Sequence, residues 1–170
     1  MPENSNDSID LIVSLLVRHP ELSRVVIKPR VESIAFFFAV RDRLSRLHER
    51  NLRHTVTEHL EAFHALLRTR SARTRVRTRT DAHVSFVEIE RDATTLTRDE
   101  IPLIVALVSQ CFGDRLIVNP PAEEAGDEEL EAHGDAVGPA LDAVRHAKQR
   151  KGLVGFRDER RLLICFGGPK

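Results

Sequence analysis

Arginine occupies every second position from Arg73 to Arg79, and this alternation constrains the local structure more than any other feature of the chain. Successive side chains of a β-strand point to opposite faces, so a period of two predicts an extended segment. In a strand the arginines would share one face, with neighbours roughly 6.6 Å apart. We call Arg73, Arg75, Arg77 and Arg79 the arginine row.

Charge is distributed unevenly along a chain whose formal net charge is zero. Residues 41–79 contain eleven arginines and four acids, whereas residues 119–135 contain seven acids and neither lysine nor arginine. Such segregation predicts a surface with separate positive and negative patches rather than a uniformly neutral one.

The periodicity of the remaining segments predicts the α+β class, with a mixed or antiparallel sheet that contains hairpins. Strand patterns occur at residues 24–28, 31–40, 83–90, 115–118, 152–156 and 161–166. A helical pattern runs over about 42–69 and predicts one long helix, and two or three shorter helices are expected elsewhere. The run Phe36–Phe38 is apolar on both strand faces, which predicts a central strand covered on both sides.

The composition also suggests how the chain is organised. Residues 1–6 are polar and are expected to form a disordered tail, followed by a main α+β domain over 7–118. Residues 119–134 are rich in acids, proline and glycine, which is typical of a linker or mobile loop. Residues 135–170 are expected to form a C-terminal helix and a β-hairpin that pack on the main domain.

The cellular compartment is inferred from the cysteines and from segments that are missing. Cys111 and Cys165 lie in apolar runs, which predicts reduced, buried thiols in a cytoplasmic protein. The sequence has no secretory signal and no apolar run long enough to span a bilayer, so no membrane association is expected.

The arginine row has three interpretations. Guanidinium groups along a strand could follow a phosphate backbone, or they could bind an acidic protein partner. They could instead pair within the chain, with Glu88 and Glu90 across a hairpin or with the acids of residues 123–135. The sequence favours internal pairing because it has no Trp or Tyr, and its Phe residues lie in core-like runs that leave no evident platform for bases. The candidate binding residues are Arg68, Arg70, Arg73, Arg75, Arg77 and Arg79.

The long helix carries a second candidate surface. Six of its residues follow the 4-3 spacing of a coiled-coil seam, which predicts a homodimer joined along this helix with two histidines in the interface. We call these residues the seam: His48, Leu52, Thr55, His59, Ala62 and Leu66.

No catalytic motif is present in the sequence, and we assign no catalytic, cofactor-binding or metal-binding residue. The sequence does not determine a function. The preferred hypothesis is a non-catalytic cytoplasmic interaction or regulatory protein that acts as a homodimer. A nucleic-acid-binding module that uses the arginine row is the first alternative, and an unrecognised enzyme is the second.

Overall fold

The computed structural model describes residues 3–70, 73–120, 127–146, 151–158 and 161–167. Its strands occur in three sequential pairs, which one or two α-helices separate along the chain. In order they are α1 (Glu3–Arg18), β1 (Leu22–Lys28), β2 (Ser33–Arg41), α2 (Arg46–Leu66), β3 (Thr74–Asp81), β4 (Val84–Asp92), α3 (Glu100–Phe112), α4 (Asp127–His146), β5 (Leu153–Asp158) and β6 (Arg161–Phe166).

The six strands form one antiparallel sheet in the order β3-β4-β2-β1-β5-β6. The pairs β1-β2, β3-β4 and β5-β6 are hairpins. Strand β4 pairs with β2 and strand β5 pairs with β1, so the other two hairpins flank the first. The predicted α+β class and antiparallel sheet are therefore confirmed. Strand β5 pairs with β1, so the C-terminal hairpin extends the same sheet.

The hydrophobic core lies between one face of this sheet and the helices. Even-numbered residues of β2, such as Phe36 and Phe38, point into it and are fully buried. Helices α1, α2, α3 and α4 all supply buried side chains to this core. The alternate strand residues point to the opposite face of the sheet. On that face, cross-strand neighbours run from Arg24 to Phe37, Glu88 and Arg77.

The boundaries of three helices differ from the sequence expectation. The helix expected over about 42–69 extends only from Arg46 to Leu66, because Ser45 caps it by accepting a hydrogen bond from the His48 amide. The extent of the long helix is therefore not confirmed. Helix α4 begins at Asp127, inside the segment predicted to be a loop, and α1 begins at Glu3, inside the predicted tail.

The β3-β4 hairpin closes without a glycine. Its loop residues are Ala82 and His83, and Ala82 adopts a φ of +51°. This left-handed conformation is costly for a residue with a Cβ atom, and the turn therefore lacks the glycine that usually marks such a hairpin in a sequence.

Candidate binding face of the sheet

The face of the sheet that points away from the core carries the arginine row, other charged residues and three phenylalanines. We call it the open face, because no α-helical residue in the described part of the chain lines the cavity above it. Its principal residues are Arg24, Val26, Lys28, Phe37, Arg75, Arg77, Arg79, Phe86, Glu88, Glu90, Val154 and Phe156.

Strand β3 places the arginine row at one edge of the open face. Arg75, Arg77 and Arg79 alternate along the strand and are exposed, while Val76 between them is buried. Arg73 precedes the strand and also lines the cavity. The predicted side-by-side arrangement of these arginines is thus present in the fold.

The structure does not bring Arg68 and Arg70 into this arrangement. Both are exposed residues in the connection between α2 and β3, and neither lines the cavity of the open face.

Lys28 provides the principal positive charge for the glutamates of the open face. Its Nζ lies 2.9 Å from Glu88 Oε1 and 2.9 Å from Glu90 Oε2, and Ser33 donates a hydrogen bond to Glu90. Burial alone would raise the pKa of Glu90, yet the hydrogen bonds from Lys28 and Ser33 outweigh it and hold that pKa below its usual value. Burial alone would lower the pKa of Lys28, but the two carboxylates raise it.

This arrangement leaves most of the arginine row unneutralised. Arg77 Nη1 lies 3.6 Å from both Glu88 and Glu90, and its side chain is 52% exposed. Arg75 and Arg79 form no ion pair with any acid in the described part of the chain, although Arg75 stands opposite Glu90 in the register. Pairing across the hairpin therefore involves one arginine of the row.

Three phenylalanines lie on the open face, which corrects the interpretation that all Phe residues belong to the core. Phe86 stands opposite Arg79 on β3, Phe37 lies on β2, and Phe156 lies on β5. All three are partly exposed. The expectation that β2 is covered on both faces is confirmed only in part: Ser33, Ala35 and Ala39 are buried on the side of the open face, but Phe37 on the same side is partly exposed.

A cation stacks within this aromatic group. The guanidinium of Arg24 lies 4.1 Å from the centre of the Phe37 ring, and Arg24 stands between Phe37 and Phe156 in the strand register. An arginine held over an aromatic ring has both a positive charge and a planar surface to offer a ligand.

The cavity above the open face has a volume of about 1240 Å³. Eight basic and four acidic residues line it, a formal excess of four positive charges. Arg157 is among them, and its Nε and Nη2 atoms are buried with no hydrogen-bond partner in the described structure. Burial lowers the pKa of this guanidinium. The cavity is therefore most strongly positive at the β3 edge, whereas on the β5 side Val154 and Phe156 line it together with Arg157.

The seam predicted on α2 does not match the packed face of the helix. The buried residues of α2 are Leu52, Val56, Leu60 and His64, which follow an i, i+4 spacing. Of the seam, only Leu52 is buried; Thr55 is partly buried, and the other four residues are exposed. The predicted interface histidines form local contacts, since His48 Nδ1 lies 2.7 Å from Ser45 Oγ and His59 Nδ1 lies 2.7 Å from the Thr55 carbonyl oxygen. The seam residues are His48, Leu52, Thr55, His59, Ala62 and Leu66.

Sequence reasoning missed a buried charged cluster beneath the start of β3. Arg91 is fully buried, and its guanidinium donates two hydrogen bonds to the buried Glu100 carboxylate. His64 Nε2 lies 2.9 Å from the same carboxylate. Arg91 Nη1 also donates to the carbonyl of Arg73 at 3.0 Å, which fixes the first residue of the arginine row. The available signal was Arg91 itself, an arginine at a core-facing position of β4.

Both cysteines are free and exposed, so the prediction of buried thiols is wrong. Cys111 lies in an apolar helix, but the turn that buries Val108 and Phe112 directs Cys111 away from the core. Cys165 alternates with Ile164 in β6 and falls on the open face of the sheet.

The described residues contain no group of three or more side chains suited to hold a metal ion. His54 and Glu58, which share the outer side of α2, form an exposed contact of 3.2 Å. No helix within the described ranges is long and apolar enough to cross a membrane.

Comparisons with family models, with curated proteins and with solved structures give no match to this chain.

Proposed function

We propose that the protein is a binding module whose open face takes up single-stranded nucleic acid. The observation that carries this proposal is the presence of the arginine row and three phenylalanine rings on the same uncovered face of the sheet. Proteins that bind single strands combine a positively charged groove, which follows the phosphates, with aromatic side chains on which bases stack.

The arginines and the phenylalanines are placed to bind two different parts of a nucleotide, its phosphate and its base. The arginine row lies on the edge strand β3, where phosphates have free access from solvent. Phe86 is on the neighbouring strand β4, and Phe37 is one strand further in. A nucleic-acid strand whose phosphate backbone runs along β3 would therefore direct its bases across the sheet, toward the phenylalanine rings.

The acids of the open face do not oppose this proposal. Glu88 and Glu90 are held by Lys28, so binding of a polyanion does not require their prior release from the arginine row. Only Arg77 would exchange a contact, and that contact is long and half exposed.

The proposal is tested by fluorescence anisotropy with labelled single-stranded DNA and RNA at about 50 mM salt, where phosphate contacts are strong. The triple variant Arg75→Gln, Arg77→Gln, Arg79→Gln should weaken binding and reduce the magnitude of the salt slope by roughly 2, because each lost phosphate contact removes about 0.7. The matched control changes Arg18, Arg46 and Arg50 to Gln. These arginines are exposed but do not line the cavity, so binding should be retained.

Substitution of the rings tests the contribution of the bases. Phe37→Ala or Phe86→Ala should each lower affinity by about 1–3 kcal/mol, the usual contribution of one stacked base. Polyglutamate serves as the probe for an acidic protein partner. If polyglutamate binds with the same affinity as nucleic acid and the ring variants do not weaken its binding, an acidic protein partner is favoured instead. Absence of nucleic-acid binding at low salt, or equal losses in the two triple variants, would refute the proposal.

A further inference from the structure

Strand β6 is an edge of the sheet with an unusually apolar surface. Residues 162–166 are all apolar, and the side chains of Leu163 and Phe166 are 37% and 58% exposed. An exposed edge strand is a template for pairing with another chain, and proteins commonly protect such edges with charges, proline or a bulge. In β6 the only charged residue is Arg161, no proline occurs, and the register with β5 has no shift.

The opposite edge of the sheet is protected by several of these means. Strand β3 carries three exposed arginines, and helix α2 lies beside it. Arg53 of α2 donates a hydrogen bond of 3.4 Å to the outward carbonyl of Val76. Among the described residues, nothing comparable protects the edge formed by β6.

The hydrogen-bond pattern shows which backbone groups of β6 are free. The amide of Gly167 donates to the Gly152 carbonyl at 2.8 Å, so the residues two and four positions earlier, Cys165 and Leu163, also face β5. The residues between them direct their N–H and C=O groups outward. These are Leu162, Ile164 and Phe166.

We propose that β6 pairs in antiparallel fashion with β6 of a second copy of this chain, about a two-fold axis at Ile164. In this register Ile164 faces Ile164 of the partner subunit, and Leu162 faces Phe166 of the partner subunit. Each of these pairs can exchange two N–H···O bonds, because all three residues have outward backbone groups. The free groups restrict the register to shifts of two residues, and among these the register centred on Ile164 uses all three outward-facing residues.

A second copy suits this edge better than a foreign strand. The outward groups are symmetric about Ile164, so the strand is complementary to itself, as a two-fold interface requires. The paired side chains are apolar on both faces, with Leu163 opposite Cys165 of the partner subunit on the open face. The two-fold axis is perpendicular to the sheet and leaves the helices of both copies on one side and both open faces on the other.

This interface differs from a dimer along the seam, and it is independent of nucleic-acid binding. Three of the six seam residues are polar and its backbone groups are already bonded within the helix, whereas β6 supplies both apolar side chains and outward backbone groups. The two interfaces are distinguished by variants in β6 and in α2.

Sedimentation of the full chain at micromolar concentration provides the first test. The wild type should sediment at twice the chain mass, and Ile164→Pro should halve that mass. The Pro variant removes an amide that points away from β5, so the hairpin should remain and circular dichroism should be unchanged. His59→Glu is the matched control in the seam and should remain dimeric.

Disulfide cross-linking provides a second test that does not depend on the Pro variant. Leu163→Cys places a thiol opposite Cys165 of the partner subunit, and mild oxidation should yield a covalent dimer. The control Leu163→Cys, Cys165→Ser retains Cys111 and should stay monomeric on a non-reducing gel. A wild-type monomer, or a dimer that gives no cross-link and is lost in His59→Glu but not in Ile164→Pro, would overturn the proposal.

Discussion

Lys28 shows how single side chains set the charge of the open face. It lies on β1, which β4 and β2 separate from the strand of the arginine row, yet its ammonium group contacts both Glu88 and Glu90. Without Lys28 we expect these two carboxylates to pair with the arginine row, which would then lose part of its free positive charge. The availability of the arginines therefore depends on a lysine that no local sequence pattern connects to them.

The Lys28 contacts should contribute stability that depends on pH. The pKa of Glu90 lies below its usual 4.5 in the folded state, so its contribution is present above pH 4.5 and is lost as the pH falls through the folded-state pKa. The pKa of Lys28 lies above 10.5, so its contribution is present below pH 10.5 and is lost as the pH rises through the folded-state value.

We therefore expect Lys28→Met to lower the free energy of unfolding by about 1–3 kcal/mol at neutral pH, since two hydrogen bonds to charged groups are lost. The difference from wild type should shrink when urea unfolding is measured well below pH 4.5, where Glu90 becomes protonated in both proteins. Lys151→Met, at an exposed position, is the control and should change stability by less than about 0.5 kcal/mol. A Lys28→Met difference that does not vary with pH would contradict this account.

The role of the phenylalanines could be read only in part from the sequence. Alternation in Phe36–Phe38 requires at least one ring on each face of the strand, but it does not reveal whether the second face is covered. Coverage is decided by where the helices pack, which depends on contacts distant in sequence. The placement of the arginine row was predictable because a period of two defines a strand by itself.

Helix α2 shows that the local sequence of a helix does not by itself determine which of its faces is buried. Two stripes pass through Leu52, one with the 4-3 spacing of the seam and one through Val56 and Leu60. The sheet selects the second stripe because it buries larger apolar side chains against the core. His64 is tolerated at the end of that stripe because Glu100 and Thr69 satisfy both ring nitrogens.

The packed face of α2 can be tested by a pair of substitutions. Leu60→Ala should lower the free energy of unfolding by about 2–5 kcal/mol, because Leu60 is 2% exposed and the loss of its side chain leaves a cavity. His59→Ala should change it by less than about 0.5 kcal/mol, since this side chain is exposed. Chemical denaturation measures both, and a larger effect at His59 than at Leu60 would show that the seam is the packed face.

At the scale of the whole molecule, the uneven charge of the sequence takes a specific form. The arginine row lies on the open face, while helix α4, which begins at Asp127, packs against α1 on the helix-covered side of the sheet. This arrangement does not favour shielding of the arginine row by the acidic segment. Residues 123–126 of that segment lie outside the described residues. A zero net charge is thus compatible with a strongly positive binding face.

The most direct test of the central claim is a titration of ring-labelled phenylalanine with single-stranded oligonucleotide, followed by nuclear magnetic resonance. The eight phenylalanines report on both sides of the sheet. We expect the ring signals of Phe37, Phe86 and Phe156 to shift, and those of the buried Phe36, Phe38 and Phe112 to remain largely unchanged. Shifts absent from the open-face rings at saturating oligonucleotide, or confined to other phenylalanines, would contradict the account.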